Sequence, residues 1–106
     1  MYAFHSRAVI NSRLGEYGKA IEDYNRILKT NVLKAVENRL YYDRGYALFK
    51  IGKDRDALCD YNKAIELGLN IPAVYNERGC IFEDLKEHHC ALKDFENALM
   101  LCPSFE

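Results

Sequence analysis

Residues 41–64 read YYDRGYALFKIGKDRDALCDYNKA. An aromatic (Tyr41), a small residue (Gly45), a breaker (Gly52), a second small residue (Ala57), an aromatic (Tyr61) and a third small residue (Ala64) follow one another at fixed intervals. The same series stands 37 residues earlier as Phe4, Ala8, Gly15, Ala20, Tyr24 and Ile27. It stands again 34 residues later as Tyr75, Gly79, Lys86, Ala91, Phe95 and Ala98. Self-similarity at this period marks a repeat architecture, in which each unit buries its apolar face against its neighbour. A stack of such units offers surface, so binding is expected before catalysis.

Each repeat divides into two helical stretches. In the first, Phe4, Ala8, Asn11 and Leu14 keep helical spacing up to Gly15, and Ala20, Ile21, Tyr24, Ile27 and Leu28 form an apolar stripe on a second helix. The second repeat gives Tyr41, Gly45, Leu48 and Ile51, then Ala57, Leu58, Tyr61, Ala64 and Ile65. The third gives Tyr75, Gly79, Phe82 and Leu85, then Ala91, Leu92, Phe95, Ala98 and Leu99. The expectation is six antiparallel helices in one domain over 1–106, with repeats near 1–34, 35–71 and 72–106. Ala8, Gly45 and Gly79 are expected to face Ala20, Ala57 and Ala91, where small side chains let two backbones approach. Mid-helix glycine costs about 1 kcal/mol against alanine, so its return at one phase indicates a packing need. Gly15 and Gly52 are read as helix ends, Pro72 as a first helical position and Pro103 as a stop.

The residues Tyr41-x3-Gly45, Leu48, Gly52, Ala57, Tyr61 and Ala64, with Pro103 closing the third unit, resemble the tetratricopeptide repeat (TPR) family over essentially the whole chain. The resemblance implies an all-α solenoid of three helix-turn-helix units. It implies a right-handed superhelix whose first helices line a concave groove, and a scaffold or adaptor that binds peptides or protein partners without enzymatic activity. Three departures stand out. Lys86 replaces the glycine of the first two repeats, so its turn is expected to differ, and His88 stands where Tyr17 has an aromatic. Three residues are inserted between repeats one and two. Leu33, Val36 and Leu40 lie at i, i+3 and i+7, so either the third helix begins a turn early or the loop is longer.

Family members that hold the acidic C-terminal tails of chaperones use Lys and Asn on the first helix, Asn on the third, and Lys and Arg on the fifth. The matching places here carry His5 and Val9, Asp43, and Ala73 and Glu77. None agrees, and two would repel a carboxylate, so a chaperone-tail adaptor is disfavoured.

Arg7, Arg44 and Arg78 each precede the small residue of a first helix, and Asp23, Asp60 and Asp94 each precede the aromatic of a second helix. Arginine and aspartate thus recur 16 residues apart. An inter-helix pair in every unit is expected, with a bridge to the adjacent unit as a further option, because the planar guanidinium fork matches a carboxylate bidentately.

First-helix residues beside the packing face are candidates for a groove. Repeat one offers Tyr2, His5, Ser6, Val9 and Arg13; repeat two Arg39, Tyr42, Asp43, Tyr46, Phe49 and Lys50; repeat three Ala73, Asn76, Glu77, Cys80, Glu83 and Asp84. Tyr42, Tyr46 and Phe49 run at i, i+4 and i+7 beside the core stripe. They either widen the core or anchor a partner's apolar groups. Asp43, Asn76 and Glu77 would select among partners. The third-repeat end is acidic, which suits a ligand with some basic residues.

The chain's 106 residues hold 15 basic and 16 acidic side chains, for a net charge of -1, which gives no electrostatic reason to expect nucleic acid or anionic lipid. No apolar run approaches the roughly 20 residues of a membrane span, and the N-terminus lacks signal-peptide features. Cys59, Cys80, Cys90 and Cys102 form no CxxC and match no zinc module. Reduced thiols in a cytoplasmic setting are expected. His88, His89 and Cys90 are adjacent, but consecutive helical residues point about 100° apart. No metal site is therefore expected, and His88 is read as a partly buried turn residue. Cys80 lacks an obvious base, no phosphate loop is present, and neither a cofactor nor a catalytic residue is assigned.

The stripe of Leu92, Phe95 and Leu99 has no following helix in this sequence, and Met100 and Cys102 lie nearby. Two explanations stand. The chain is part of a longer array, or a second copy covers the stripe in a two-fold homodimer. The second makes self-association an alternative to groove binding.

Overall fold

The computed structural model describes residues 2–30 and 34–102. Tyr2 and Phe4 as side chains, and Leu33 and Pro103 altogether, lie outside the described residues. Six helices are present among them: α1 (Tyr2–Arg13), α2 (Tyr17–Leu28), α3 (Lys34–Lys50), α4 (Asp54–Glu66), α5 (Pro72–Asp84) and α6 (His88–Leu101). They pack as the pairs α1–α2, α3–α4 and α5–α6, and α2 also packs on α3. The chain forms two compact units, Met1–Gly68 with the first two pairs and Leu69–Glu106 with the third.

The third helix does begin early, at Lys34, and runs 17 residues. Leu40 joins Ala8, Ala20, Tyr24 and Ile27 in a buried cluster, with Leu28 against it. Val36, although in phase with Leu40, is exposed. Leu14 and Ile51, read as the last members of the first-helix stripes, fall just past α1 and α3 and are also exposed.

The turns inside the pairs share one geometry. Gly15 and Gly52 take φ of 82° and 84°. Their N–H groups donate to Ser12 and Phe49, and the next N–H groups, of Glu16 and Lys53, donate back to Asn11 and Leu48. These are the two closing bonds of a Schellman helix end, which needs a left-handed residue. Lys86 was expected to change its turn. It does not: it adopts φ 64°, and the N–H groups of Lys86 and Glu87 donate to Glu83 and Phe82 in the same pattern. The main-chain bonds impose the conformation on a side chain that disfavours it.

Ala8 shares a buried cluster with Ala20, in line with expectation, whereas the two first-helix glycines pack differently. A Cβ on Gly45 would lie 3.1 Å from the Asp60 Cβ and 3.2 Å from the Tyr61 ring; one on Gly79 would lie 2.8 Å from the Phe95 ring. The nearest atoms belong to the aromatic of the second helix and its neighbour, not to Ala57 or Ala91. Phe95 therefore has its ring against α5, rather than on an uncovered stripe with Leu92 and Leu99. Pro72 opens α5 as expected.

Candidate first-helix binding face

Each helix pair is braced by a bidentate ion pair. Arg7 donates through Nε and Nη2 to Asp23 at 2.9 and 2.7 Å. Arg44 does the same to Asp60 at 2.7 and 2.8 Å, and Arg78 to Asp94 at 2.8 and 2.7 Å. All three aspartates are buried. Hydrogen bonding from Arg7 holds the Asp23 carboxyl below the usual range, against the opposing push of burial. Arg44 also reaches out of its own pair: Nη1 donates to Asn25 Oδ1 of α2 at 2.8 Å. With every arginine turned to an aspartate, these groups are structural, and the first-helix face is defined by the residues beside them.

In the first unit His5 of α1 lies near enough to Asp43 of α3 for its charge to act on it, Val9 of α1 is half-buried, and α3 itself carries Arg39, Tyr42, Asp43, Tyr46, Phe49 and Lys50. The Tyr42 ring packs at 5.8 Å on Tyr61 of α4, and Tyr46 meets Tyr17 of α2 edge-on at 6.4 Å. Arg39 lies over Tyr42 and Lys50 over Tyr46, each 5.3 Å from the ring centroid, and Lys50 is 5.9 Å from that of Phe49. All three aromatics are half-buried. The two readings of the aromatic stripe thus meet in one arrangement: Tyr42 and Tyr46 each pack on a ring of a second helix, and all three rings, Phe49 included, keep part of their surface exposed.

Asp43 is the polar centre of this face. Arg39 Nε stands 3.5 Å from its Oδ1. Burial pushes its carboxyl above the usual range, and the positive charges of Arg39 and His5 pull it partly back. Tyr24 lies close enough to feel it: burial raises its phenol, Asp43 raises it further, and Arg39 opposes. A half-buried acid flanked by aromatic rings accepts a hydrogen bond or a cation and repels a carboxylate.

In the second unit, Asn76 and Glu77 are half-buried and Cys80 is exposed on α5. Burial raises the Cys80 thiol, and Glu83, Asp84 and Glu77 raise it further, so it is poorly suited to act as a thiolate. His88 is exposed at the first position of α6, not partly buried in the turn, because α6 begins one residue after Glu87 caps it. No group of three or more potential metal ligands occurs among the described residues. Leu92 and Leu99 are exposed on α6. Sequence reading passed over Asn25, whose amide receives Arg44; only the repeated register of α2, α4 and α6 signals that position.

Repeated helix pairs with Schellman turns and an accessible first-helix face define a helical-repeat protein. The family model for the tetratricopeptide repeat matches residues 2–31 and 72–105, and the chain belongs to that family, whose fold is that of protein-interaction modules. RNA polymerase II-associated protein 3 of Xenopus tropicalis is 36% identical over 87 residues, covering 82% of this chain and 13% of that protein. The second TPR domain of Spaghetti (RPAP3), solved bound to the HSP90 peptide SRMEEVD, is 28% identical with a TM-score of 0.84, over 94% of this chain and 90% of that one. The Arabidopsis OM64 TPR domain, at 23% identity, shares the fold with a TM-score of 0.87 over 99% and 84% of the two chains. The chain spans 8% of one curated relative it matches and 13% of another.

Proposed function

We propose that this chain is a scaffold or adaptor module that binds an extended peptide or partner segment on its first-helix face, without catalysis. The observation that carries the reading is the row of half-buried rings Tyr42, Tyr46 and Phe49 on α3, with Asp43 set between them. Half-buried rings are rigid and lose little entropy on binding, which makes them efficient anchors. The peptide-bound Spaghetti domain supports a peptide as partner. The chemistry of the peptide differs, however. SRMEEVD is acidic, whereas Asp43 and Glu77 stand where a carboxylate clamp needs amide and cationic donors. A segment with an aromatic or aliphatic anchor and a basic neighbour is complementary. On α5 of the second unit, taken by itself, Asn76 and Glu77 offer half-buried acceptors and Cys80 an exposed thiol.

A cytoplasmic setting belongs to this reading. It is supported by the four unpaired cysteines, three of them exposed, which suit a reducing compartment. Nucleic acid and membrane form no part of it, given the net charge of -1 and, among the described residues, no helix long and apolar enough to cross a bilayer.

Panning a displayed random peptide library against the purified chain tests the proposal. Enriched peptides should carry an apolar anchor beside Lys or Arg and bind with Kd of about 1–100 μM. Tyr46→Ala, with its circular dichroism unchanged, should weaken them about tenfold or more, and SRMEEVD should not saturate. Peptides that bind Tyr46→Ala as well as wild type would remove the first-helix face from consideration.

A further inference from the structure

Within the first unit, α3 lies across α2 through a defined set of contacts. Arg44 donates to Asn25, Tyr46 meets Tyr17, and Leu40 enters the cluster of Ala20, Tyr24 and Ile27. Ile21 and Leu28, one turn either side of Asn25, are half-buried. In the register of the repeat, α6 carries Leu92, Glu96 and Leu99 where α2 carries Ile21, Asn25 and Leu28. There Leu92 is 57% and Leu99 56% exposed, and Glu96 is exposed as well.

The opposite deficit is found on α1, which repeats the register of α3. Arg7 corresponds to Arg44 and Ile10 to Ala47. The Arg7 side chain is 59% exposed against 23% for Arg44, and Ile10 is 52% exposed where Ala47 is fully buried. One helix thus presents an uncovered α2-type surface bearing an acid. Another presents an uncovered α3-type surface bearing an arginine, on a helix with no acidic residue.

We propose that α1 of one copy docks on α6 of a second copy as α3 docks on α2. Arg7 of one copy meets Glu96 of the other, and Ile10 covers Leu92 and Leu99. Arg44 demonstrates the chemistry: one guanidinium holds its aspartate through Nε and Nη2 while Nη1 reaches the neighbouring helix. Replacing the amide oxygen of Asn25 by the Glu96 carboxylate makes that bond charge-assisted, hence stronger. A two-fold contact of α6 on α6 would instead bring two Glu96 carboxylates onto one interface. Because the docked surfaces differ, the contact is heterologous, and each dimer keeps one free α1 and one free α6. Burial of exposed apolar side chains supplies the driving force, and the ion pair fixes polarity.

Sedimentation equilibrium of the purified chain up to about 1 mM is the test. The mean mass should rise with concentration past that of a dimer. Ile10→Glu and Leu99→Glu, both at exposed positions and checked for unchanged helix content, should each be monomeric. Their equimolar mixture should form a 1:1 dimer that grows no further, since each supplies the surface the other lacks. Glu96→Arg should weaken self-association about tenfold or more. A wild-type monomer at every concentration would overturn the proposal. So would a dimer that survives Ile10→Glu, which is the two-fold alternative, or failure of the two variants to complement.

Discussion

Lys86 and Gly52 hold the same left-handed backbone, with φ of 64° and 84°, at equivalent turns. The glycine takes it freely, whereas a residue with a Cβ is strained there by roughly 1–2 kcal/mol. Glycine's larger unfolded-state entropy returns part of that difference. Lys86→Gly should therefore stabilise the chain by about 1 kcal/mol, raising Tm by about 4–8 °C for a domain of this size. Thermal unfolding followed by circular dichroism measures it. No gain would mean that the Lys86 side chain offsets the strain with contacts of its own.

Alanine at glycine positions should separate packing from helix propensity. At Gly79 the added Cβ would lie 2.8 Å from the Phe95 ring. A ring wedged between helices cannot withdraw cheaply, and overpacking costs about 1–3 kcal/mol, more than the propensity gain of about 1 kcal/mol. Gly79→Ala should destabilise the chain. Gly18→Ala, in α2 with nothing within 4 Å of its Cβ, should stabilise it by about 0.5 kcal/mol. Urea denaturation midpoints for the two variants should move in opposite directions.

Removing one partner of a buried brace strands the other. Asp60→Ala would leave Arg44, whose side chain is 23% exposed, facing a hole in place of its carboxylate. A loss of about 2–4 kcal/mol is expected, toward the lower side for a partly solvated pair. Arg7→Ala should cost less than Arg44→Ala, because Arg7 is the more exposed and solvent screens its pair. An unchanged Tm for Asp60→Ala would deny the braces a structural role.

The acids of the chain should respond to pH with opposite signs. Asp23 is held below its ordinary value of 3.8, so its stabilisation is present above that pH and is lost as pH falls through the lower folded value. Asp43 is raised above 3.8, so the folded chain prefers it neutral; its relative stabilisation is full below 3.8 and is lost as pH rises through the folded value. Asp43→Asn should thus raise Tm at pH 7, with the gain shrinking as pH approaches 4. Asp23→Asn should lower Tm at pH 7. Tm profiles of the two variants and the wild type from pH 2 to 7 provide the check.

The braces were legible in the sequence because two charged residue types recur together at a constant separation, and only a contact keeps such a pair in phase. The early start of α3 was one of two options that the spacing of Leu33, Val36 and Leu40 left open against a longer loop, and of the two described members only Leu40 turns into the core. Lys86 was not legible. Its side chain departs from the pattern while its φ is set by main-chain bonds to Glu83 and Phe82, which residue identity does not report. The placement of Phe95 escaped for another reason. A stripe drawn by helical spacing gives the side of the helix, but not that the missing Cβ of Gly79 opens a slot into which a ring turns. On the first-helix face, Tyr42, Tyr46 and Phe49 were visible as a row. Spacing alone could not say that Tyr17 and Tyr61 would take up one side of the tyrosine rings.

Each brace closes within its own helix pair, joining residues 16 apart and leaving the stretch between α4 and α5 uncrossed by any of the three. A genetic event that copies or deletes one whole pair therefore carries both halves of a brace with it and orphans no buried carboxylate. Recombination within a pair would do the opposite. The positions at which such a gene tolerates cutting are written in the side-chain chemistry, and array length can change by whole pairs without relearning how each one folds.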